Sequence, residues 1–365
     1  MIKIVFTQLA FLLLFFTTAI AQESKPVAEF NQAYRQYQAL TSQNKYKAAL
    51  PYAMAARDFG RQVYGEDSKN YAALNYSYGL SLLNAGEYKL AQKELDQSVN
   101  LYKKAYGKEN EALVSVYMDA GAVDVFERDG REASKKFRAA LKIIKRNSGD
   151  KSLEYGRTSL DAGRLLLDRS RASEAEQFLR DAVEVLSLNH IEDDFNSAVA
   201  QFYLGKYYMS EKRYSSAESH LSNCLEVLEN LGEDVHDTVL IARGYLVEVY
   251  ENLKRTDDAT IQLQAIGKTL PTKGLDEYFP IYRVRPRYPF VAAGKDIEGF
   301  VILEFTITKQ GKVTELKVLE KEGDYDFEEV ALEAVEQWRY APRFVDGEAV
   351  DTSGVRTKLT FEMAD

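Results

Sequence analysis

The strongest constraint on the fold of this 365-residue chain is an internal repeat with a period of 42 residues. Alanine recurs at that interval six times, from Ala49 to Ala259. Twelve residues before each alanine is a mostly glycine column, and seven residues after it is a mostly small column. The first column is Tyr37, Gly79, Gly121, Gly163, Gly205 and Val247, and the second is Ala56, Ser98, Ala140, Ala182, Cys224 and Ile266. Such a period is typical of architectures in which each unit stacks on its neighbours.

Each period holds two amphipathic helices, because apolar residues recur at helical spacing on both sides of a break. In the second copy they are Leu74, Tyr78, Leu82 and Ala85, then Leu90, Ala91, Leu95 and Val99. The small residues twelve positions before each alanine predict that the two helices of a pair approach closely. The mostly large apolar residues four positions after each alanine predict side chains that fill the space between neighbouring pairs. No proline lies between Pro51 and Pro271, as uninterrupted helices require. The sequence therefore predicts an all-α helical-repeat solenoid over residues 28–270.

The spacing of twelve between the glycine and alanine columns resembles the tetratricopeptide repeat. The longer period and loops such as Tyr64-Gly65-Glu66-Asp67 are similar to the kinesin-light-chain form of that repeat. The resemblance implies six repeats and a protein-binding groove on the first helix of each pair. The candidate groove residues are then Arg157, Arg164 and Lys206. The alternative is that these residues form an ordinary solvated face.

After a predicted linker at residues 271–284, the pattern changes to short strands over residues 285–365. Residues 300–308 and 313–319 predict a hairpin with a turn at Gln310-Gly311, and residues 355–363 alternate as a last strand. Between them, Asp326 and Glu329 have the spacing of a capping box for a helix that ends before Pro342. The pattern predicts a small α+β domain in which one helix packs on an antiparallel sheet.

These residues are similar to the C-terminal domain of the TonB family of energy transducers. The resemblance rests on Pro286-Arg287-Tyr288-Pro289, Gly299-Phe300-Val301, Gly311-Lys312-Val313 and Trp338-Arg339-Tyr340-Ala341-Pro342. It implies a domain that holds an extended peptide of an outer-membrane receptor by strand addition. The implied partner-binding residues are Arg287, Tyr288, Pro289, Val355, Thr357, Leu359 and Phe361. The alternative for Tyr288 and Pro289 is that they only direct the chain into the domain.

The first 21 residues predict an exported protein. Lys3 precedes an apolar run from Ile4 to Phe16, and Ala19-Ile20-Ala21 has the small-x-small form of a signal-peptidase site. Cleavage there predicts a periplasmic protein, and an uncleaved segment predicts an inner-membrane anchor.

Other classes of function lack a sequence signal. The net charge of −9 argues against a nucleic-acid binder, and His190, His220 and His236 lie in separate repeats and suggest no metal site. No catalytic or cofactor motif is present, so we predict neither an enzyme nor a cofactor.

Cys224, the single cysteine, is either a reactive thiol or a small buried residue. The segment from Tyr282 to Arg287, with arginine at alternate positions, either meets an acidic partner or lipid surface or is a solvated linker.

The two resemblances together lead to one hypothesis for function. It is a periplasmic protein–protein interaction protein of TonB-dependent transport, whose C-terminal domain binds a receptor or partner peptide and whose repeats dock a second protein. One alternative is an envelope scaffold or oligomerisation protein without a transport role. Another is a membrane-anchored energy transducer, if the N-terminal segment is retained.

Overall fold

A computed structural model describes residues 25–169, 172–188, 190–232, 236–269, 278–323 and 326–363. Twelve of its helices follow one another as six consecutive pairs. They are α1 (Lys25–Thr41), α2 (Tyr46–Tyr64), α3 (Lys69–Ala85), α4 (Tyr88–Tyr106), α5 (Ala112–Phe126), α6 (Gly130–Asn147), α7 (Leu153–Arg169), α8 (Ala172–Leu188), α9 (His190–Ser210), α10 (Tyr214–Leu231), α11 (His236–Asn252) and α12 (Thr256–Thr269). The repeat predicted from the sequence is confirmed, with one alanine of the column on the second helix of every pair.

The repeat columns are the packing contacts of each helix pair. All six alanines of the column are fully buried. A β-carbon added at Gly163 would lie 2.7 Å from Leu179, and one added at Gly205 would lie 2.7 Å from Leu221. The large residue after the alanine therefore packs on the glycine of its own pair, whereas the sequence predicted that it would fill the space between pairs.

Helices α1–α4 belong to a compact unit that ends at Lys108. Its first pair is closed by Phe30, Ala33 and Ala56, which form a cluster with Leu74 of α3. A polar network joins α2, α3 and α4: Arg57 Nη1 is 3.2 Å from Glu94 Oε2, and Asn75 Nδ2 donates to the same oxygen at 2.9 Å. The polar side chains of this network are thus paired with one another, as burial requires.

A second compact unit runs from Glu109 to the end of the chain, and it holds helices α5–α12 and the C-terminal sheet. One continuous apolar core extends from Val125 to Leu263 through these helices. Cys224 lies inside it, fully buried, and burial raises the pKa of its thiol to about 12. The structure therefore places Cys224 as a small core residue of its column.

We expect the Cys224 thiol to be inert in the folded protein, because only a thiolate attacks Ellman's reagent and this thiol is both protonated and inaccessible. At pH 8 the native chain should not react over an hour, and it should react fully in guanidinium chloride. A Ser215→Cys variant, whose new thiol would lie at an exposed position of α10, is the control. Equal rates at the two thiols in native protein would contradict this expectation.

The C-terminal part begins with an extended segment and the short helix α13 (Phe290–Ala293), followed by β1 (Gly299–Ile307), β2 (Val313–Glu322), α14 (Phe327–Glu336) and β5 (Thr352–Phe361). These strands form an antiparallel sheet in the order β2-β1-β5. One face of β1, from Val301 through Leu303 and Phe305 to Ile307, is buried in a core with Trp338 and α14. The predicted strand, strand, helix, strand order is confirmed.

Two local features differ from the sequence prediction. A hairpin of β3 (Arg343–Val345) and β4 (Glu348–Val350) precedes β5, and its Asp346-Gly347 turn has positive φ at both residues. Asp326 does not form the predicted capping box, since its own φ is +65° and its side chain makes no cap hydrogen bond. A capping side chain needs an extended backbone at that position, so the left-handed conformation removes the cap.

The predicted signal peptide, residues 1–21, lies outside the described residues. Among the helices that are described, none is both long enough and apolar enough to cross a membrane.

Candidate functional site

Strand β5 presents an open edge at one side of the sheet. Among the described strands it pairs only with β1, through seven consecutive residue pairs from Gly299↔Phe361 to Phe305↔Val355. A regular edge of this length is a template for one more strand, because its outward backbone N–H and C=O groups have no strand partner. The predicted position of the last strand at an edge thus agrees with the sheet topology.

A groove of about 670 Å³ runs along this open edge. Residues Thr352–Lys358 of β5 line one side, and the other side is the extended segment from Tyr278 to Arg283 with Trp338 beneath it. Seven strand residues at about 3.3 Å each span roughly 20 Å. The strand side of the groove is therefore long enough for a peptide of six or seven residues.

The wall that faces β5 is aromatic. Tyr278, Phe279 and Pro280 lie side by side on it, and the side chain of Phe279 is 74% exposed. Trp338 is almost completely buried, and its indole N–H donates to the carbonyl oxygen of Val284 at 2.7 Å. The wall is thus fixed to the domain core at one end and presents an apolar surface to the groove at the other.

The charged side chains of the groove lining are all cationic: Arg283, Arg356 and Lys358. The guanidinium of Arg283 lies 4.9 Å from the ring centre of Trp338, and the ammonium of Lys358 lies 3.9 Å from that of Phe300. Arg356 pairs with Glu304 of β1, from Nη2 to Oε2 at 2.8 Å. In addition, the hydroxyl of Thr352 is buried and has no hydrogen-bond partner among the described residues. The groove is suited to an extended chain that carries apolar and acidic side chains.

The opposite edge of the sheet, β2, is a poorer template. Its pairing with β1 breaks twice, between Ile302 and Leu303 and between Glu304 and Thr306, and Glu315 has a φ of +54°. Its second half, Lys317–Glu322, is largely exposed and charged. Bulges and charges of this kind protect a strand edge from pairing with other chains.

The structure separates the predicted partner-binding residues of the domain into two groups. Arg287, Tyr288 and Pro289 do not line the groove. The hydroxyl of Tyr288 donates to the carbonyl oxygen of Ile297 at 2.7 Å, and its ring meets those of Phe327 and Phe361 edge-on. Pro289 precedes α13, and Arg287 is exposed. This arrangement favours the reading in which Tyr288 and Pro289 direct the chain into the domain.

Of the predicted residues of the last strand, Val355 and Thr357 line the groove, whereas Leu359 and Phe361 lie on β5 beyond its lining. The side chains of Val355, Leu359 and Phe361 are buried in the domain core, and Thr357 is half-buried. An added strand would thus contact the main chain of these positions and the side chains of Arg356 and Lys358 beside them.

The three predicted residues of the repeat groove lie on α7 and α9. Arg164 Nη2 is 3.0 Å from Asp161 Oδ1, and Lys206 Nζ is 3.3 Å from Asp168 Oδ1. The ammonium of Lys206 also lies between 5.1 and 5.9 Å from three aromatic ring centres, those of Phe202, Tyr203 and Tyr245. Arg157 is exposed on α7. Because carboxylates pair with Arg164 and Lys206, this face is charge-balanced and aromatic.

The sequence did not predict the groove wall at residues 278–283, because these residues fall within the predicted linker. Its signal was the Tyr278-Phe279-Pro280 run, since two adjacent aromatic residues before a proline are uncommon in a solvated connection. No group of three or more histidine, cysteine, aspartate or glutamate residues within the described part of the chain could hold a metal ion.

Comparison with known proteins bears on the C-terminal part. Residues 284–363 match the family model for the Gram-negative bacterial TonB protein C-terminal domain. These residues form a TonB C-terminal domain. The described residues from Lys25 to Thr269 form a helical-repeat array of six helix pairs, so the two-part fold class is confirmed.

Two relatives are similar to part of this chain. The Protein TonB of Vibrio cholerae is 37% identical over 65 residues, which is 18% of this chain and 27% of that protein. The Protein TonB of Pseudomonas aeruginosa is 35% identical over 82 residues, 22% of this chain and 23% of that protein. The chain thus spans about a quarter of the length of these relatives.

The repeats are similar to a solved structure of the TPR-like repeats of a kinesin light chain from Podosopora anserina. The sequence identity is 11% and the TM-score is 0.49, and the alignment covers 57% of this chain and 99% of that one.

Proposed function

We propose that this chain is a periplasmic protein–protein interaction protein of TonB-dependent transport. Its TonB C-terminal domain binds an extended segment of an outer-membrane receptor, or of another component of the same system, as a fourth strand on β5. The open groove along β5 carries this proposal, because it combines a regular strand edge with a wall that faces it. Export through the predicted signal peptide would bring the domain to the compartment where such segments are found.

The groove also determines which side chains are favoured on the bound peptide. Main-chain hydrogen bonds to β5 would supply affinity for any extended chain, and the side chains of the groove would supply selection. Phe279 and Pro280 favour an apolar side chain on the peptide, and Arg283, Arg356 and Lys358 favour an acidic one.

The repeats would dock a second protein of the same assembly. The described surface that supports this is the aromatic face around Lys206, where Phe202, Tyr203 and Tyr245 are partly exposed beside the Lys206–Asp168 pair. Aromatic side chains next to paired charges are enriched at protein interfaces, because they bury a large area at a small entropic cost.

The test is a binding measurement on the whole chain. Synthetic, fluorescein-labelled peptides of about ten residues, taken from the periplasmic N-terminal segments of the outer-membrane receptors of the same cells, are titrated and followed by anisotropy. A proline scan of a peptide that binds should weaken binding at alternate positions only, because every second N–H of an added strand points at β5 and proline has none. A scan without this alternation, or the absence of binding by any peptide, would overturn the proposal.

A substitution in the groove wall should weaken peptide binding without disturbing the fold. We expect Phe279→Ala to lower peptide affinity about tenfold, because an exposed aromatic wall that is buried only in the complex behaves as an interface anchor. Phe290→Ala is the matched control, since Phe290 is 91% exposed and does not line the groove. Equal losses in both variants, or in neither, would show that Phe279 does not contact the peptide.

A further inference from the structure

The groove wall is held by two cores at once. Ile281 and Tyr282 pack against the core of the repeats, whereas Tyr278 and Val284 pack against the core of the TonB C-terminal domain. The backbone of this segment is bonded to Arg339: the N–H groups of Ile281 and Tyr282 donate to its carbonyl oxygen at 2.7 and 3.2 Å, and its N–H donates to the carbonyl oxygen of Tyr282 at 3.0 Å. The position of the wall thus depends on Arg339 and on the last helix pair.

The side chain of Arg339 reaches into that helix pair. Its Nε donates to Glu251 Oε1 on α11 at 2.9 Å, and only 14% of the arginine side chain and 10% of the glutamate side chain are exposed. Burial raises the pKa of the nearby Tyr282 hydroxyl, and the charges of Glu248 and Glu251 raise it further. An ion pair withdrawn from water to this degree holds its two elements together, because removal of either partner leaves a buried charge unpaired.

A second contact joins α12 to the domain. Gln264 Nε2 donates to the carbonyl oxygen of Lys309 at 3.1 Å, and Thr260 Oγ1 donates to that of Gln310 at 3.4 Å. Gly267 faces the backbone of the segment after Trp338, since a β-carbon added there would lie 2.3 Å from the carbonyl oxygen of Pro342. The close approach at Gly267 leaves no room for any side chain.

We propose that the helix pair α11–α12 is a working part of the peptide site: it holds the 278–283 wall in place against β5 and thereby sets the affinity for the peptide. This inference rests on the proposed function of the groove. Coupling between two sites is reciprocal, so a peptide in the groove should in turn strengthen the docking of the domain on α11–α12.

The experiment measures binding of the same labelled receptor peptide by whole-chain variants that loosen the docking in two independent ways. Glu251→Gln removes the charge that pairs with Arg339, and Gly267→Ala inserts a methyl group against Pro342. Neither residue lines the groove. We expect each substitution to lower the affinity for the peptide roughly tenfold, which lies within the usual range for coupling between sites.

Each variant has a matched control. Asp124→Asn removes the charge from a similarly buried pair with Lys136, in which the lysine is 17% exposed and the aspartate 1%, far along the repeats on α5 and α6. Gly294→Ala makes the same change as Gly267→Ala at the end of α13, outside the groove and the helix pair, and its β-carbon would only reach ordinary contact with the carbonyl oxygen of Phe290 at 3.5 Å. Both controls should bind the peptide like the unmodified chain.

Hydrogen exchange separates release of the wall from unfolding of the domain. In Glu251→Gln and Gly267→Ala the amides of Ile281 and Tyr282 should exchange faster, while the amides that join β1 and β5 stay protected. Loss of protection in β1 and β5 would overturn the inference, since weaker binding would then come from an unfolded sheet.

The outcomes for the two proposals are distinct. If the unmodified chain binds the peptide and all four variants bind it equally, the helix pair has no part in the site, and the proposed function stands. If the unmodified chain binds none of the peptides, the proposed function fails and this inference fails with it.

Discussion

Trp338→Ala is expected to unfold the TonB C-terminal domain and to abolish peptide binding while leaving most of the helical signal intact. The indole is almost completely buried among Phe305, Tyr340 and the sheet, and it satisfies the carbonyl oxygen of Val284. Truncation of a buried tryptophan costs about 3–5 kcal/mol, and an unpaired buried carbonyl adds about 1–3 kcal/mol. That sum is comparable to the whole stability of about 5–15 kcal/mol of a small domain.

Hydrogen exchange on β1 and β5, together with peptide anisotropy, would measure this loss. Trp338→Phe is the control, because it keeps most of the apolar volume and loses only the indole N–H. It should cost roughly 1–2 kcal/mol and leave the domain folded. A Trp338→Ala variant that keeps its sheet amides protected would show that the domain core does not depend on the indole.

Gly205→Leu is expected to produce the second large effect, in the middle of the repeats. A β-carbon alone would lie 2.7 Å from Leu221 Cγ, so a leucine side chain at this position must push α9 and α10 apart. Overpacking of a close-packed core by even a few methylene groups costs about 1–3 kcal/mol, and a whole leucine side chain exceeds that range. Because each repeat is stabilised by its neighbours, the damage should spread to the pairs on either side.

Circular dichroism at 222 nm would follow the helices, and the fluorescence of Trp338, the single tryptophan, would follow the C-terminal domain. The double variant Gly205→Leu with Leu221→Ala returns the total side-chain volume between α9 and α10 close to its original value. It should therefore recover part of the lost stability. If the double variant is no more stable than Gly205→Leu, the steric account of the glycine column is wrong.

The period of 42 and the alternating strands were sufficient to predict the two-part fold. Each column reflects a packing contact repeated in every pair, such as the fully buried alanines, so the prediction drew on many equivalent observations. The β3–β4 hairpin was missed, although Asp346-Gly347 is a common turn dipeptide, because its strands have only three residues each. The cap at Asp326 was predicted from side-chain spacing, and the left-handed backbone that prevents it has no signature in the sequence.

The edge position of β5 was predicted through the family resemblance, but the groove wall and the docking on α11–α12 were not. Glu251 and Arg339 are 88 residues apart and belong to no shared pattern. Gly267 did carry a signal. The column eight residues after the alanine is Arg57, Val99, Leu141, Val183, Leu225 and Gly267. The change from a large apolar residue to glycine in the last copy marks the repeat that packs against something other than another repeat.

The contact between α12 and the sheet domain has a consequence for how repeats and a C-terminal domain are combined in one chain. The terminal unit of a solenoid has an apolar flank with no following unit to cover it, and solenoids usually end in a specialised polar helix. Here Leu263 and Gly267 of α12 are covered by Gly311, Pro342 and Phe344 of the sheet domain. The TonB C-terminal domain therefore covers the end of the repeat array in the place of a further repeat. We therefore expect that repeats can be added or removed further up the chain, whereas the last helix pair and the sheet must be kept together.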